Sequence, residues 1–197
     1  MRAISSLREL LRQIIRRPGG VSMGHGSAVM RPWIVINPET MSIGSGTNVL
    51  SNLYWECARS KPGSGQGKIT VGSDVLIGHY SFFTTAREIS IGDGCVLSGH
   101  VYISDENHGF DPKAGPILKQ PLESKGPVRI GNNCFLGYRV AILPGVTLGE
   151  HCVVGANSTV TRSFPAYCML AGSPAQVIKR YSHELGEWVK YDGRPLT

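Results

Sequence analysis

The chain has 197 residues, with 25 glycines, 41% hydrophobic and 8% aromatic residues, and a formal net charge of +6. That size suits one domain, and glycine-rich, aromatic-poor content suits a repetitive solenoid better than a conventional two-layer core. The basic residues are dispersed and lack an aromatic-interleaved stripe, which argues against nucleic acid and for a small anionic ligand.

At the N-terminus Ile4, Leu7, Leu11 and Ile14 recur at helical spacing beside Arg8, Arg12, Arg16 and Arg17. This predicts a basic amphipathic helix within an N-terminal segment, residues 1–27, stopped by Pro18-Gly19-Gly20. Such a helix can close the open end of a solenoid, the simpler role, or rest peripherally on a membrane surface. No apolar stretch is long enough to span a bilayer and no cleavable leader is evident, so the expected location is the cytoplasm, up to the inner face of the membrane.

Over residues 28–175 the dominant period is six. Aliphatic or aromatic positions recur as Ile43 and Val49, then Val71, Ile77 and Phe83, then Ile91, Leu97 and Ile103. From Ile130 the pattern runs unbroken through Leu136, Ile142, Leu148, Val154 and Val160. An α-helix cannot keep a period of six on one face and a plain strand repeats every two, so the chain must turn a corner every six residues or so. Three such strands close a triangular coil, and stacked coils form an all-β solenoid, a parallel β-helix with the aliphatic positions along its axis.

The stretches open alike: Met-Ser-Ile-Gly at 41 to 44, Ile-Thr-Val-Gly at 69 to 72, Ile-Ser-Ile-Gly at 89 to 92 and Val-Arg-Ile-Gly at 128 to 131. The glycine is expected at a corner whose backbone conformation a side chain would hinder. Four places after the inward residue stand small or β-branched side chains, and Cys95, Cys134 and Cys152 all occupy that interior position. They read as core filler. The cysteines have neither metal-ligand spacing nor the pattern of a disulfide frame, so no metal is expected.

Two segments interrupt the hexads, 52–68 and 104–127, and an insertion in a solenoid is expected to loop outward. The first carries Tyr54, Trp55 and Glu56. Trp55 could stack on a sugar face, with Glu56 and His100 as further acceptor contacts. After Pro174, Val177, Ile178, Tyr181, Leu185, Trp188 and Val189 fall at helical spacing, predicting a short C-terminal helix within residues 176–197.

The stretch from Asn107 to Arg180 contains His108-Gly-Phe-Asp-Pro, Gly126-Pro-Val-Arg-Ile-Gly-Asn-Asn, Ile142-Leu-Pro-Gly-Val-Thr-Leu-Gly and Ala171-Gly-Ser-Pro-Ala-Gln-Val-Ile-Lys. In these motifs it resembles the hexapeptide-repeat acyltransferases, and within them the sugar O-acetyltransferases: the maltose and galactoside enzymes and those that decorate bacterial surface polysaccharides. The resemblance implies a left-handed parallel β-helix, a homotrimer with clefts between subunits, acetyl-CoA as co-substrate and a saccharide acceptor. It also makes His108 the catalytic base and carries coenzyme A contacts onto Gly137, Tyr138, Ala156, Thr161, Arg162 and Lys179. Arg162 stands where the family usually has Lys, Gln176 where a basic residue is common, and Phe135 where a Trp usually precedes the inward aliphatic.

The chemistry points the same way. Moving an acetyl group from a thioester to a hydroxyl needs a base of near-neutral pKa to take the hydroxyl proton, and histidine is the natural choice. Asp105, Glu106 or Asp111 could orient the His108 ring, Asp105 being the first candidate. A backbone N–H at a coil corner could hold the oxyanion. Three other readings stay open. A zinc enzyme like the γ-class carbonic anhydrases would need His79, His100 and His108, whose spacing does not match that class. N-acetylation of an amino sugar and a non-catalytic scaffold are the others.

Overall fold

The structure, a computed structural model, describes residues 19–58 and 66–193. The predicted N-terminal helix lies outside the described residues. Three parallel sheets form the faces of a prism, and each coil adds one strand to each face. The first sheet runs from Ser22–Met23 through Met41–Ile43, Lys68–Val71, Glu88–Ile91 and Val128–Ile130 to Thr147–Leu148. The second runs from Ala28–Val29 to Val153–Val154 and on to Cys168–Gly172. The third takes Ile34–Ile36, Tyr54–Cys57, Phe82–Thr85, Tyr102–Ser104, Ala141–Ile142 and Thr159–Val160. The solenoid therefore begins at Ser22, ahead of the boundary at 28 that the hexads suggest.

Register places like on like. Ile43 pairs with Val71, Val71 with Ile91, Ile91 with Ile130 and Ile130 with Leu148. These side chains, with Leu97, Leu136, Ile142, Val154 and Val160, form one continuous core along the axis. Each such aliphatic contributes about 1.5–3 kcal/mol when fully buried, and a stacked coil secures its neighbour's contribution as well as its own.

The glycines after the inward aliphatics serve a different purpose from the one expected. Their backbone is not in the left-handed region; the positive-φ corner positions are others, such as Gly46, Gly94, Asp74 and Asn133. A Cβ on Gly44 would stand 2.6 Å from the Gly72 carbonyl carbon, and one on Gly131 would stand 2.6 Å from Glu150 N. Close stacking of one coil on the next is what excludes a side chain. The adjoining interior column ties those same corners together. Thr47 Oγ1 donates to Gly72 O at 2.8 Å, Cys95 Sγ to Gly131 O at 3.1 Å, Cys134 Sγ to Gly149 O at 3.2 Å and Cys152 Sγ to Pro165 O at 3.2 Å. The cysteines thus fill space and satisfy buried carbonyls.

The two interruptions fold differently. Tyr54–Cys57 is an ordinary rung of the third sheet, paired with Ile34–Ile36 and Phe82–Thr85, so the first part of this segment stays on the coil. The 104–127 segment does leave the prism: Asn107–His108 pairs antiparallel with Leu122–Glu123, and a 3-10 turn, Ile117–Lys119, lies between them.

At the C-terminal end the expected helix is absent. Ala175–Ser182 folds back antiparallel on Cys168–Gly172 and then pairs with Glu187–Lys190. Ala175 and Val177 point into the core while Gln176 between them is exposed, a period of two that the apolar residues further along disguise. The hairpin turns at Gly186, where φ is +69°, and Tyr181 meets Trp188 across it with ring centroids 5.6 Å apart. It occupies the open end of the second sheet, where unpaired strand edges would otherwise face solvent. Among the described residues no helix is long and apolar enough to cross a membrane.

Candidate active site

His108 is exposed on the outward hairpin, opposite Leu122. The hairpin is braced from within by Gln120, which sequence reasoning did not single out. The Gln120 amide Oε1 accepts from Asp111 N at 3.0 Å, while Nε2 donates to Asp111 O and Gly115 O, each at 2.9 Å. Gly109 N donates to Pro121 O at 3.0 Å, and a Cβ on Gly109 would come within 2.9 Å of Gln120 Oε1. His108 therefore stands on a loop whose shape is set by its own hydrogen bonds.

Asp105 is not the partner of His108. It is fully buried, and both carboxylate oxygens are already engaged at the corner of the coil before. Oδ1 accepts from Ala86 N at 2.8 Å; Oδ2 accepts from Thr85 Oγ1 at 2.7 Å, Arg87 N at 3.1 Å and Glu88 N at 2.6 Å. The Asp105 carboxyl thus accepts from three successive N–H groups of the tight turn at 86–88. Asp111 Oδ1 likewise accepts from Lys113 N at 2.8 Å within the loop.

Trp55 is not an acceptor contact either. It points into the prism, 2% exposed, with its ring stacked on Phe83 at 5.2 Å. Alternation along the strand turns its neighbours outward. Tyr54 stacks on Phe82 at 4.5 Å, and Phe82 on Tyr102 at 5.7 Å, as an aromatic column on the outer face of the third sheet. Glu56 stands on that face beside Thr84, and its carboxylate accepts from Tyr54 OH at 2.6 Å. That hydrogen bond, helped by burial and by the Glu56 charge, pushes the Tyr54 phenol up to about 12. Glu56 is thus kept near the root of the His108 loop, where the Tyr-Trp-Glu-Cys alternation could have placed it.

Of the residues assigned to coenzyme A, three come together on the corner between the second and third sheets. Gly137 lies directly over Ala156, with room for no Cβ, and Asn157 N donates to Tyr138 O at 2.8 Å. Tyr138 lies against Gly99, receives the edge of His100 at 5.2 Å and carries the Arg139 guanidinium 5.2 Å from its ring centroid. His100 in turn stacks on Tyr80 at 4.8 Å. His100 and Tyr138, expected to touch different ligands, belong to one exposed aromatic ridge beside the small residues Gly99, Gly137 and Ala156.

Thr161 and Arg162 follow the last strand of the third sheet. The Arg162 guanidinium lies 4.7 Å over the Phe164 ring and donates to Gln176 Oε1 at 2.9 Å. Gln176, in place of a second cation, holds the first one in position. Lys179 is three residues further along the same strand, paired with Met169 on one side and Lys190 on the other. The structure thus brings Arg162 to Gln176 and sets Lys179 apart, on the C-terminal hairpin with Arg180 and Lys190. Within the described residues His79, His100 and His108 are not gathered into a three-ligand cluster; His79 Nδ1 is 2.9 Å from Ser51 Oγ.

A prism of hexapeptide coils with a histidine-bearing hairpin folded out from its side sets the frame for comparison with known proteins. A family model described as the hexapeptide repeat of succinyl-transferase matches residues 68–105 and 127–162. An Escherichia coli strain K12 protein named as a lipopolysaccharide biosynthesis O-acetyl transferase, WbbJ, is 37% identical over 133 residues, covering 64% of this chain and 67% of that one. A Mycobacterium tuberculosis protein named as an acetyltransferase is 35% identical over 114 residues, 58% of this chain but only 38% of its own length. Among solved structures, the Bacillus cereus N-acyltransferase AntD, in complex with dTDP and 3-hydroxybutyryl-CoA, superposes with a TM-score of 0.70 at 20% identity, over 92% of this chain and 90% of that one. The chain belongs to the hexapeptide-repeat acyltransferases and is an acetyltransferase on the left-handed parallel β-helix.

Proposed function

We propose that the enzyme transfers acetyl from acetyl-CoA to a hydroxyl of a saccharide acceptor used in surface-polysaccharide assembly, with His108 as general base. The observation that carries this reading is His108 itself: an exposed imidazole on a loop that Gln120 holds in shape. The imidazole takes the acceptor proton as the hydroxyl oxygen attacks the thioester carbonyl; the tetrahedral intermediate then collapses with loss of the coenzyme A thiolate. The similarity to WbbJ, named for O-acetyl transfer, favours a hydroxyl over an amine.

Acetyl-CoA would lie along the corner where Gly137 stacks on Ala156, with backbone at the corners meeting the pantetheine arm. Arg162, oriented by Gln176, would meet its phosphates at the open end. Lys179 reaches the same ligand only if the tail extends over the C-terminal hairpin. The exposed Phe110, Ile117 and Leu118 on the outward loop suit packing against a second subunit, and a trimer would set His108 of one chain against the coil corner of the next. A cytoplasmic location, up to the inner face of the membrane, is part of the same proposal.

Calorimetric titration with acetyl-CoA, followed by an acceptor screen with His108→Ala as control, tests the proposal. Saturable binding near one per chain and acetyl transfer lost in the variant are expected. No binding would overturn the donor assignment, and full activity in the variant would overturn the assignment of the base.

A further inference from the structure

The mechanism leaves one carboxyl unused. Glu106 lies between the coil and the hairpin, two residues before His108, and its Oε2 is buried without a hydrogen-bond partner. Its backbone is pinned. The Ser104 hydroxyl donates to Glu106 O at 2.8 Å, accepts from Glu106 N at 3.1 Å and accepts from Thr84 Oγ1 at 3.1 Å. The side chain is consequently held against the outer face of the third sheet, where the other charged groups are of its own sign: Glu56 on the strand Tyr54–Cys57 and Asp105 on its own segment. Tyr54 faces it from the same strand as Glu56, and Glu123 stands across the hairpin opposite Asn107. No cation is among the groups that act on it.

A buried carboxylate oxygen with no donor, among like charges, is the costly form; the neutral acid is the one this place accommodates. We infer that Glu106 is a positioning residue whose protonated carboxyl seats the root of the His108 hairpin on the third sheet, and whose ionisation unseats it. Burial, then Asp105 and Glu56, push the Glu106 carboxyl up from its ordinary 4.5 to about 7, with Thr84 opposing. The direction of the pH effect follows. Once the hairpin root lifts off, the carboxyl returns to solvent and ionises at its ordinary value. Below 4.5 the seat is intact in full; between 4.5 and about 7 each rise in pH favours the lifted form; above that the effect levels off.

The test is amide hydrogen exchange on the full chain between about pH 5 and about pH 9, corrected for intrinsic rates, and read in peptides covering 104–127. In the wild type, protection of the hairpin should fall by up to about tenfold per pH unit below pH 7 and then flatten. Glu106→Gln, which mimics the neutral acid, should stay protected throughout. Should that variant fold poorly, Glu56→Gln removes a neighbouring like charge and should shift the wild-type transition to lower pH, since the Glu106 carboxyl then ionises more readily. Wild-type protection that does not change with pH, or a transition unaltered in both variants, would overturn the inference. The exchange measurement does not depend on acetyl transfer. Absent catalysis with a titrating hairpin therefore counts against the proposed function and not against the seat.

Discussion

The hexads break twice, and the two breaks have opposite outcomes. At 104–127 the chain quits the prism and builds a hairpin of its own around Gln120. At 52–68 the first residues of the break stay on the coil as a full rung, with Trp55 packed on Phe83 inside. A bulky aromatic spoils the small-aliphatic rhythm without leaving the core, because a neighbouring rung that also widens, here Phe83, gives it a face to stack on. A loss of period therefore marks a change in side-chain size as readily as a change in path. Proximity to chemistry follows path alone.

Four substitutions sharpen or break that contrast. The largest effect belongs to the loop and to catalysis: His108→Ala should lower kcat by about 10²- to 10⁴-fold, while thermal unfolding stays within about 0.5 kcal/mol of wild type because the side chain is exposed. Trp55→Ala should do the reverse. Emptying that part of the prism should cost about 3–5 kcal/mol in denaturant unfolding, with KM for the acceptor unchanged in whatever enzyme remains folded; a selective rise in KM would return Trp55 to the acceptor site.

Asp105→Ala lies at the junction of the two regimes. It removes the acceptor shared by the N–H groups of Ala86, Arg87 and Glu88 and should destabilise the coil by about 3 kcal/mol. If Asp105 instead oriented His108, the variant would lose activity at unchanged stability, and the pH dependence of kcat would shift. Gln120→Ala should change global unfolding by less than about 1 kcal/mol, because it breaks bonds only within the loop. It should still slow acetyl transfer by about tenfold through a less well-placed imidazole. Equal hydrogen exchange in the 109–122 peptides of variant and wild type would show that Gln120 does not brace the hairpin.

The candidate site was legible in a different way from the coils. His108 drew notice because it stands in a segment where the period fails and a family motif takes over, whereas Gly137 and Ala156 entered through the family resemblance and not through the period. Gln120 was not, since an amide that braces a loop leaves no period and no charge pattern. Glu106 was visible only as one of three acids near His108; which of them is buried, which caps a turn and which faces its own sign are matters of direction. The C-terminal hairpin was misread because Val177, Ile178, Tyr181, Leu185, Trp188 and Val189 satisfy a helical period on paper, while Gly186 in a positive-φ turn and the open edge of the second sheet favour strands.

What the sequence determined by itself was the repeat and everything that repeats: the prism, its axis of aliphatics, and the interior column of Thr47, Cys95, Cys134 and Cys152. A periodic pattern specifies neighbours one coil away without knowledge of the rest of the chain. Only the tertiary structure decided which side of a strand Trp55 and Glu56 face, that Asp105 spends both oxygens on a turn, that Gln176 holds Arg162, and that Glu106 is left among like charges. Those outcomes depend on which donors and charges remain unmatched after the coils have stacked, and that is a property of the assembled surface, where no period applies.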